Sequence, residues 1–277
     1  MVSNHAMSSH KPDRESSALS GRIKENSGNM KKVIAFMAAL LLLTLLAPGL
    51  SESGETDNKR ISDLPEGVDS LRIVYVADLH REAGSSDSGL ADFVGAINSL
   101  YPDLVILGGD YGTEPDSSVM FFEEMKDLRI RTRYGAYAII GEADRVDYPE
   151  EPVKLTEAMI SAGFNPLVNQ VACILLPGGT VMIAGLDDII CGLPDFEAIA
   201  ERVESSDFVI FLAHDPSALG NARLTPDRNG GTDWIDLGLF GHAEMRDPDI
   251  VENIGWVEEN ILFSDGTGAI YCIDISR

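Results

Sequence analysis

Basic side chains are scarce in this chain of 277 residues, which has 21 lysines and arginines against 45 aspartates and glutamates and a formal net charge of −24. The first fifty residues contain more basic than acidic side chains, so the rest of the chain is more acidic still. A surface of this charge repels phosphate backbones, which excludes general nucleic-acid binding. Acidity of this kind usually serves solubility, but it also leaves room for a site that binds cations.

Cysteine is also scarce, because the chain has only Cys173, Cys191 and Cys272, with no close pair among them. An odd count without close spacing excludes a disulfide framework and offers no Cys-x-x-Cys zinc pattern. Cys173 and Cys272 lie in strand-like segments, so we interpret both as small apolar side chains.

Long apolar runs are absent apart from Val33–Ala47, which follows Met30-Lys31-Lys32 and precedes Pro48-Gly49. A basic flank, an apolar block and a break in this order are typical of a secretion signal. The charge-free window Val33–Ser51 is also just long enough for a membrane-spanning helix. We expect a cleaved signal or a retained anchor rather than a buried core helix. The basic residues before this apolar block predict that the protein is membrane-anchored with an extracytoplasmic domain, or secreted.

Composition divides the chain into four segments: a disordered tail (1–29), the signal or anchor (30–50), a polar linker (51–69) and a domain (70–277). In the last segment strand-like and helix-like patterns alternate, which predicts one α/β domain. The predicted strands that matter below are Leu71–Ala77, Leu104–Leu107, Tyr134–Ile140, Phe208–Ala213, Leu237–Phe240, a hairpin of Ala172–Leu176 with Val181–Ala184, and a closing hairpin of Ile261–Phe263 with Ala269–Ile275.

Polar side chains follow five of the predicted strands, at the point where each strand ends. Chemistry in α/β proteins collects at the carboxyl ends of strands, so this placement predicts a site. All three histidines beyond the first ten residues belong to these segments. The five segments are Asp78-Leu79-His80, Gly108-Gly109-Asp110, Gly141-Glu142-Ala143-Asp144, His214-Asp215 and Gly241-His242-Ala243-Glu244.

Imidazole nitrogens combined with carboxylate oxygens favour binding of Fe, Mn, Zn or Ni over Ca or Mg. Two such ions about 3.5–4 Å apart can share a carboxylate and activate water against a phosphoryl group. The spacing of Asp78 and His80 suits this chemistry, because alternate residues of an extended segment face the same side. The sequence therefore predicts a centre for two divalent ions.

In their order along the chain, these segments resemble the motifs of the calcineurin-like metallophosphoesterases, which are D-x-H, G-D, G-N-H-D/E, an isolated H and G-H-x-H. The resemblance covers about residues 71–275 and implies a two-sheet β-sandwich flanked by helices, with two metal ions at one sheet edge. The segments Ala162–Leu167 and Ala184–Asp188 resemble the membrane-anchored branch, which includes enzymes similar to UDP-2,3-diacylglucosamine pyrophosphatases.

The resemblance also implies roles for individual residues. Asp78 and His80 would bind the first ion, Asp110 would bridge, and His214 and His242 would bind the second. Glu142 stands where the family has asparagine, and Glu244 stands where it has the last histidine; both can still ligate through oxygen, which favours Mn or Mg. The implied metal ligands are Asp78, His80, Asp110, Glu142, His214, His242 and Glu244, and the implied catalytic residues are Asp110, His214 and Asp144.

Ala143 replaces the family's histidine that contacts the phosphate and assists the leaving group. General acid–base assistance contributes roughly 10²–10⁴-fold to a rate, and alanine supplies none of it. In the family, the residue at Asp144 orients that histidine. The pattern therefore predicts a weakened hydrolase for phosphate ester or pyrophosphate bonds, holding two ions of Mn, Fe, Zn or Mg.

We expect this hydrolase to act as a monomer outside the cytoplasm on a phosphorylated small molecule or a lipid-linked substrate. The alternative is a catalytically impaired, metal-binding pseudoenzyme that binds a phospho-ligand or a partner at the membrane. A purely structural domain with vestigial polar strand ends is a third possibility.

Overall fold

Two β-sheets pack against each other with helices on their outer faces, in a computed structural model that describes residues 56–60, 64–82, 87–145, 152–242, 261–264 and 266–276. All of these residues belong to one compact unit, Ser53–Arg277. The two-sheet α/β fold expected from the resemblance is therefore confirmed.

The first sheet has the strand order β1-β11-β2-β3-β4-β5. Its central strands β2 to β5 run parallel, whereas β11 is antiparallel to β2 and β1 is parallel to β11. The strands are β1 (Thr56–Arg60), β2 (Ser70–Val76), β3 (Leu104–Leu107), β4 (Ala136–Ala138), β5 (Asn165–Pro166) and β11 (Tyr271–Ser276). The helices that follow these strands are α1 (Asp87–Ser99), α2 (Pro115–Met125), α3 (Glu142–Arg145) and α4 (Val153–Ser161).

The second sheet has the order β10-β9-β8-β7-β6, in which only β6 is antiparallel to its neighbour. Its strands are β6 (Gln170–Leu176), β7 (Gly179–Gly185), β8 (Phe208–Ala213), β9 (Leu237–Phe240) and β10 (Ile261–Phe263). The short helices α5 (Phe196–Ala200) and α6 (Ala218–Leu224) belong to this half.

Apolar side chains on both faces of the central strands explain the layered packing. In β2, Ile73 and Tyr75 point into the core between the sheets, whereas Val74 and Val76 point towards the helices of the first sheet. In β8, Ile210 lies in the same inter-sheet core. Parallel strands buried on both faces are expected to be continuously apolar, as these are. The packing brings the carboxyl ends of the parallel strands of both sheets to one edge.

One strand was not predicted, and one predicted strand pairing was wrong. Thr56–Arg60, within the predicted linker, forms β1 beside β11. Ile261–Phe263 and the strand Tyr271–Ser276 do not form a hairpin, because the first pairs with β9 and the second with β2 in the other sheet. Apolar periodicity identifies a strand but does not identify its partner, since pairing depends on packing between distant segments.

The hairpin of β6 and β7 is confirmed, with Gln170 opposite Gly185. Cys272 is buried as expected, but the expectation for Cys173 was wrong, because its side chain is exposed on β6. Strand alternation explains this difference, since every second side chain of a sheet strand faces away from its core.

The predicted signal or anchor at Val33–Ala47 lies outside the described residues. Among the residues that the structure does describe, no helix is long and apolar enough to cross a membrane. The membrane segment therefore stays a prediction.

Candidate metal centre

Five of the predicted ligands converge at the shared carboxyl edge of the two sheets. Asp78, His80 and Asp110 form one group, and Asp110, His214 and His242 form another. In each group the potential ligand atoms lie within 4.8 Å of one another. Asp110 belongs to both groups, which is the arrangement expected of a carboxylate that bridges two ions.

The two oxygens of Asp110 have different surroundings. Oδ1 accepts a hydrogen bond from the backbone N–H of Ala143 at 3.0 Å. Oδ2 lies 3.1 Å from Nε2 of His214 and 3.9 Å from Nε2 of His80. The backbone of α3 therefore occupies one oxygen, and the other oxygen lies between the two histidines.

The imidazole of His214 is oriented by a backbone carbonyl. Its Nδ1 lies 2.7 Å from the carbonyl oxygen of Gly108, to which it donates if the proton is on Nδ1. That assignment leaves Nε2 as the atom that faces Asp110. A ring fixed in this way through its second nitrogen is typical of metal-binding histidines.

Several buried polar atoms at this edge have no hydrogen-bond partner, and they provide a test of whether metal ions fit. These atoms are Oδ2 of Asp78, Nδ1 of His242 and Nε2 of His214, whose contact of 3.1 Å with Asp110 lacks hydrogen-bond geometry. The other oxygen of Asp78 accepts a hydrogen bond from the backbone of His242 at 3.0 Å. Since buried polar groups are normally satisfied, oxygen and nitrogen atoms left without donors or acceptors fit direct ligation of cations.

The metal-free electrostatics of the site also favour positive charge. Burial by itself lowers the pKa of His214, but the neighbouring Asp110 and Asp78 carboxylates outweigh it and raise this pKa to about 9. Burial raises the pKa of Asp110, yet the adjacent His214 lowers it below its ordinary value. The carboxylates therefore stabilise the positive charge of the protonated His214 imidazole. A divalent ion bound between these side chains can replace that charge.

Four of the five clustered residues have left-handed backbone conformations. The φ angles are 58° for Asp78, 42° for His80, 56° for Asp110 and 54° for His242. Residues other than glycine adopt this region uncommonly and at some energetic cost. This left-handed backbone gives each side chain, just after its strand, an orientation that an extended residue would not have.

The glycines beside these residues allow the loops to approach one another. Gly109 has a φ of 98°, so it needs the freedom that glycine provides. A side chain on Gly141 would collide with Oδ1 of Asp110 and with the ring of His214. Both positions therefore require glycine.

Glu142 lies near the centre but outside the two tight groups. Its Oε2 is 3.9 Å from Nδ1 of His242, and 40% of its side chain is exposed. Glu244, the other oxygen ligand expected from the resemblance, lies outside the described residues. The side chain of Ala143 has no polar atom, and its contribution is the backbone hydrogen bond to Asp110.

Asp144, which was predicted as a catalytic residue, is hydrogen-bonded to the loop that contains Asp110. Its Oδ2 accepts hydrogen bonds from the backbone of Asp110 and Gly141, at 2.8 and 2.9 Å. Its Oδ1 accepts from the backbone of Tyr111 and the hydroxyl of Ser118, at 3.0 and 2.6 Å. The carboxyl is fully buried, and this burial with the charge of Asp110 raises its pKa. The carboxylate of Asp144 therefore holds the loop of Asp110 in place.

Three charged residues at this edge were missed by the sequence reasoning. Asp187 and Asp188 follow β7 and are buried, and Arg145 ends α3 and is buried against Asp187 at 2.8 Å. The rule that polar residues collect at strand ends would have included Asp187 and Asp188. They were overlooked because β7 was assigned only to a hairpin.

Comparison with known proteins covers the same part of the chain. A family model described as calcineurin-like phosphoesterase matches residues 71–243, more than half of the chain. The uncharacterized metallophosphoesterase YkuE of Bacillus subtilis is 28% identical over 235 residues, or 82% of this chain and 78% of that protein. The Escherichia coli phosphodiesterase YaeI is 28% identical over 209 residues, or 72% of this chain and 71% of that protein.

A transmembrane protein with a metallophosphoesterase domain from Danio rerio is 28% identical over 196 residues. These residues make up 66% of this chain but only 42% of that protein, so the similarity concerns a part of the larger relative. All five clustered side chains lie within the segment that the family model matches.

Proposed function

The chain belongs to the calcineurin-like phosphoesterase family, and on this premise we propose that it hydrolyses phosphodiester or pyrophosphate bonds with two divalent metal ions. The observation that carries the proposal is the position of Asp110, whose Oδ2 lies between His214 and His80. One ion is assigned to Asp78, His80 and Asp110, and the other to Asp110, His214 and His242.

Some residues of the candidate centre would hold the ions, and others orient these ligands. When bound, the two ions polarise the phosphoryl group and lower the pKa of bound water. Asp110 would be shared by both ions, and its Oδ1 is held by the backbone N–H of Ala143. Glu142, whose Oε2 lies 3.9 Å from Nδ1 of His242, would add an oxygen ligand beside the second group, and Glu244 is assigned as a ligand from the sequence pattern alone.

The lack of a polar side chain at Ala143 limits the rate. With alanine there, the departing oxygen has no proton donor from this position, and the loss is at most about 10²–10⁴-fold. Substrates with acidic leaving groups need little protonation, so an aryl phosphodiester is the substrate class on which activity is expected to be clearest.

The substrate class draws on the relatives and on the sequence resemblance. The name of the Escherichia coli relative supports a phosphodiester. The resemblance to UDP-2,3-diacylglucosamine pyrophosphatases favours a pyrophosphate bond, in a small or lipid-linked molecule. The apolar segment Val33–Ala47 and the transmembrane relative support action at a membrane, outside the cytoplasm.

The full chain, stripped of metal and reloaded with Mn²⁺, tests this function. An aryl phosphodiester, an aryl phosphomonoester and a nucleotide sugar with a pyrophosphate bond are assayed beside Asp110→Asn and the exposed control Asp92→Asn. Metal-dependent turnover that Asp110→Asn abolishes and Asp92→Asn retains is expected. Metal that raises thermal stability without turnover on any substrate would instead favour the metal-binding pseudoenzyme.

A further inference from the structure

A buried ion pair joins the two sheets beside the candidate metal centre. Nη2 of Arg145 lies 2.8 Å from Oδ2 of Asp187, and the two side chains are 2% and 1% exposed. Arg145 is the one lysine or arginine that is buried within the part of the chain that the structure describes. A buried guanidinium at the edge of a metal-binding site calls for a physical explanation.

The position of the pair links the two halves of the centre. Arg145 ends α3, which follows β4, and β4 is paired with the strand that precedes Asp110. Asp187 follows β7, which is paired with β8, the strand that precedes His214. The pair therefore connects the neighbours of the two strands that bring Asp110 and His214 together.

Both ends of the pair are fixed to rigid parts of the site. The first turn of α3 donates the Ala143 N–H to Asp110 and contributes Asp144, which holds the same loop. On the other side, the carboxylate of Asp187 also accepts hydrogen bonds from the backbone of Asp188 and Leu193, each at 2.9 Å. A shift at the Arg145 end is thus transmitted to Asp110 through α3, and a shift at the Asp187 end is transmitted through β7 to β8, the strand before His214.

Stability does not account for this pair. Nε and Nη1 of Arg145 are buried without any hydrogen-bond partner. A buried ion pair with unsatisfied donors costs desolvation energy that its attraction rarely exceeds, and apolar replacement of both partners is often neutral or stabilising. An arrangement that is unfavourable for folding indicates a role in the site.

We propose that the Arg145–Asp187 ion pair is a positioning device that sets the distance between Asp110 and His214 and thereby the spacing of the two metal ions. The proposal rests on the two-ion function above. An ion pair defines the relative position of two backbones through a directional contact, which an apolar contact of similar volume does not provide. In this chain the pair therefore acts on the metal centre through its ligands, without touching the ions.

The decisive variant is the double replacement Arg145→Met/Asp187→Leu in the full chain. The matched control is Arg72→Met/Asp274→Leu, which removes the ion pair between β2 and β11, where Nε of Arg72 lies 2.6 Å from Oδ1 of Asp274. Calorimetric titration with Mn²⁺ gives affinity and stoichiometry. Electron paramagnetic resonance shows whether two bound Mn²⁺ ions are close enough to be magnetically coupled.

We expect the Arg145→Met/Asp187→Leu protein to stay folded, with a lower unfolding temperature because the N–H groups of Asp188 and Leu193 lose their acceptor. It should bind the second Mn²⁺ about 10–100-fold more weakly, the usual effect of removing groups that orient metal ligands. The magnetic coupling should weaken, and the Arg72→Met/Asp274→Leu control should keep both metal properties. A stably folded double variant with unchanged affinity and coupling would overturn the proposal.

A second variant covers the case in which the double replacement fails to fold. Arg145→Gln/Asp187→Asn removes both charges together, so no buried charge is left unpaired, and it keeps a side chain of similar size and an acceptor for the loop. About tenfold weaker binding of the second ion is expected, and unchanged binding would refute the positioning role. If the parent protein itself binds fewer than two ions, the proposed function fails instead, so the two failures are distinguishable.

Discussion

Nε2 of His214 lies 3.1 Å from Oδ2 of Asp110, although the two residues follow strands of different sheets. Asp110 follows β3 after two glycines, Gly108 and Gly109. His214 comes directly after β8. Neither sheet alone contains both ligand groups, so the candidate centre exists only when the two sheets are packed together. Binding of metal should therefore report on the packing of the whole unit.

The pH dependence of metal binding follows from the raised pKa of His214, which is about 9 against an ordinary 6.5 in the metal-free protein. The protonated histidine stabilises that protein fully below pH 6.5, and this stabilisation is lost as the pH rises through about 9. Because a metal ion must displace the proton, we expect Mn²⁺ affinity to rise by up to about tenfold per pH unit from pH 7 to 9. Titration calorimetry checks this, and His214→Asn should bind more weakly and lose most of the slope; a parent affinity independent of pH would contradict it.

Gly141 should not tolerate a side chain. The methyl group of Gly141→Ala would meet Oδ1 of Asp110 and the ring of His214, so we expect loss of most metal binding and activity. The control is Gly95→Ala on α1, where a methyl group meets nothing within 4 Å and should stabilise the helix by roughly 0.5–1 kcal/mol. Metal content and thermal unfolding distinguish the two, and normal metal content in Gly141→Ala would show that the loops can separate.

Asp144→Asn tests whether Asp144 positions the loop of Asp110. An amide nitrogen cannot accept the hydrogen bonds that one carboxylate oxygen now accepts, so we expect about 1–3 kcal/mol lower stability to urea and weaker metal binding. Ser118→Ala, which removes a single hydrogen bond to the same carboxylate, should have a smaller effect. Abolished turnover in Asp144→Asn at full metal occupancy and unchanged stability would instead support direct catalysis.

Ala143→His tests the reason given for slow turnover. The side chain of Ala143 is partly exposed, so a larger group can be accommodated there. A histidine should raise the rate on a substrate with a basic leaving group by about 10²-fold or more, and raise it less on an aryl ester. Ala143→Gln serves as the control of similar size without a general acid. No gain at intact metal loading would argue against the role assigned to this position.

Much of the fold follows from local pattern. Leu104–Leu107, Phe208–Ala213 and Leu237–Phe240 were predicted as strands and have those bounds in the structure. Each is a short run of apolar residues buried on both faces, which makes the strand evident without its partners. The pairing of Ile261–Phe263 was wrong, because its neighbour in the sheet is β9 rather than the segment that follows it in the chain.

For the candidate site, the sequence predicted which residues come together but not how every side chain is oriented. Asp78, His80, Asp110, His214 and His242 were identified because each follows a strand, and they are the residues that the structure groups together. The catalytic role of Asp144 stays a prediction, since sequence spacing does not reveal which way its carboxylate points. Its hydrogen bonds with the loop of Asp110 depend on how that loop turns beside α3.

The sequence by itself determined the chemistry of this protein, since the identity of the strand-end side chains and their order along the chain already specify oxygen and nitrogen ligands for cations. Only the tertiary structure decided that Oδ2 of Asp110 faces both histidines and that Arg145 reaches Asp187. The physical reason is that strand ends are set by local apolar pattern, whereas these contacts join residues on separate sheets. Their geometry exists only after the inter-sheet core has formed.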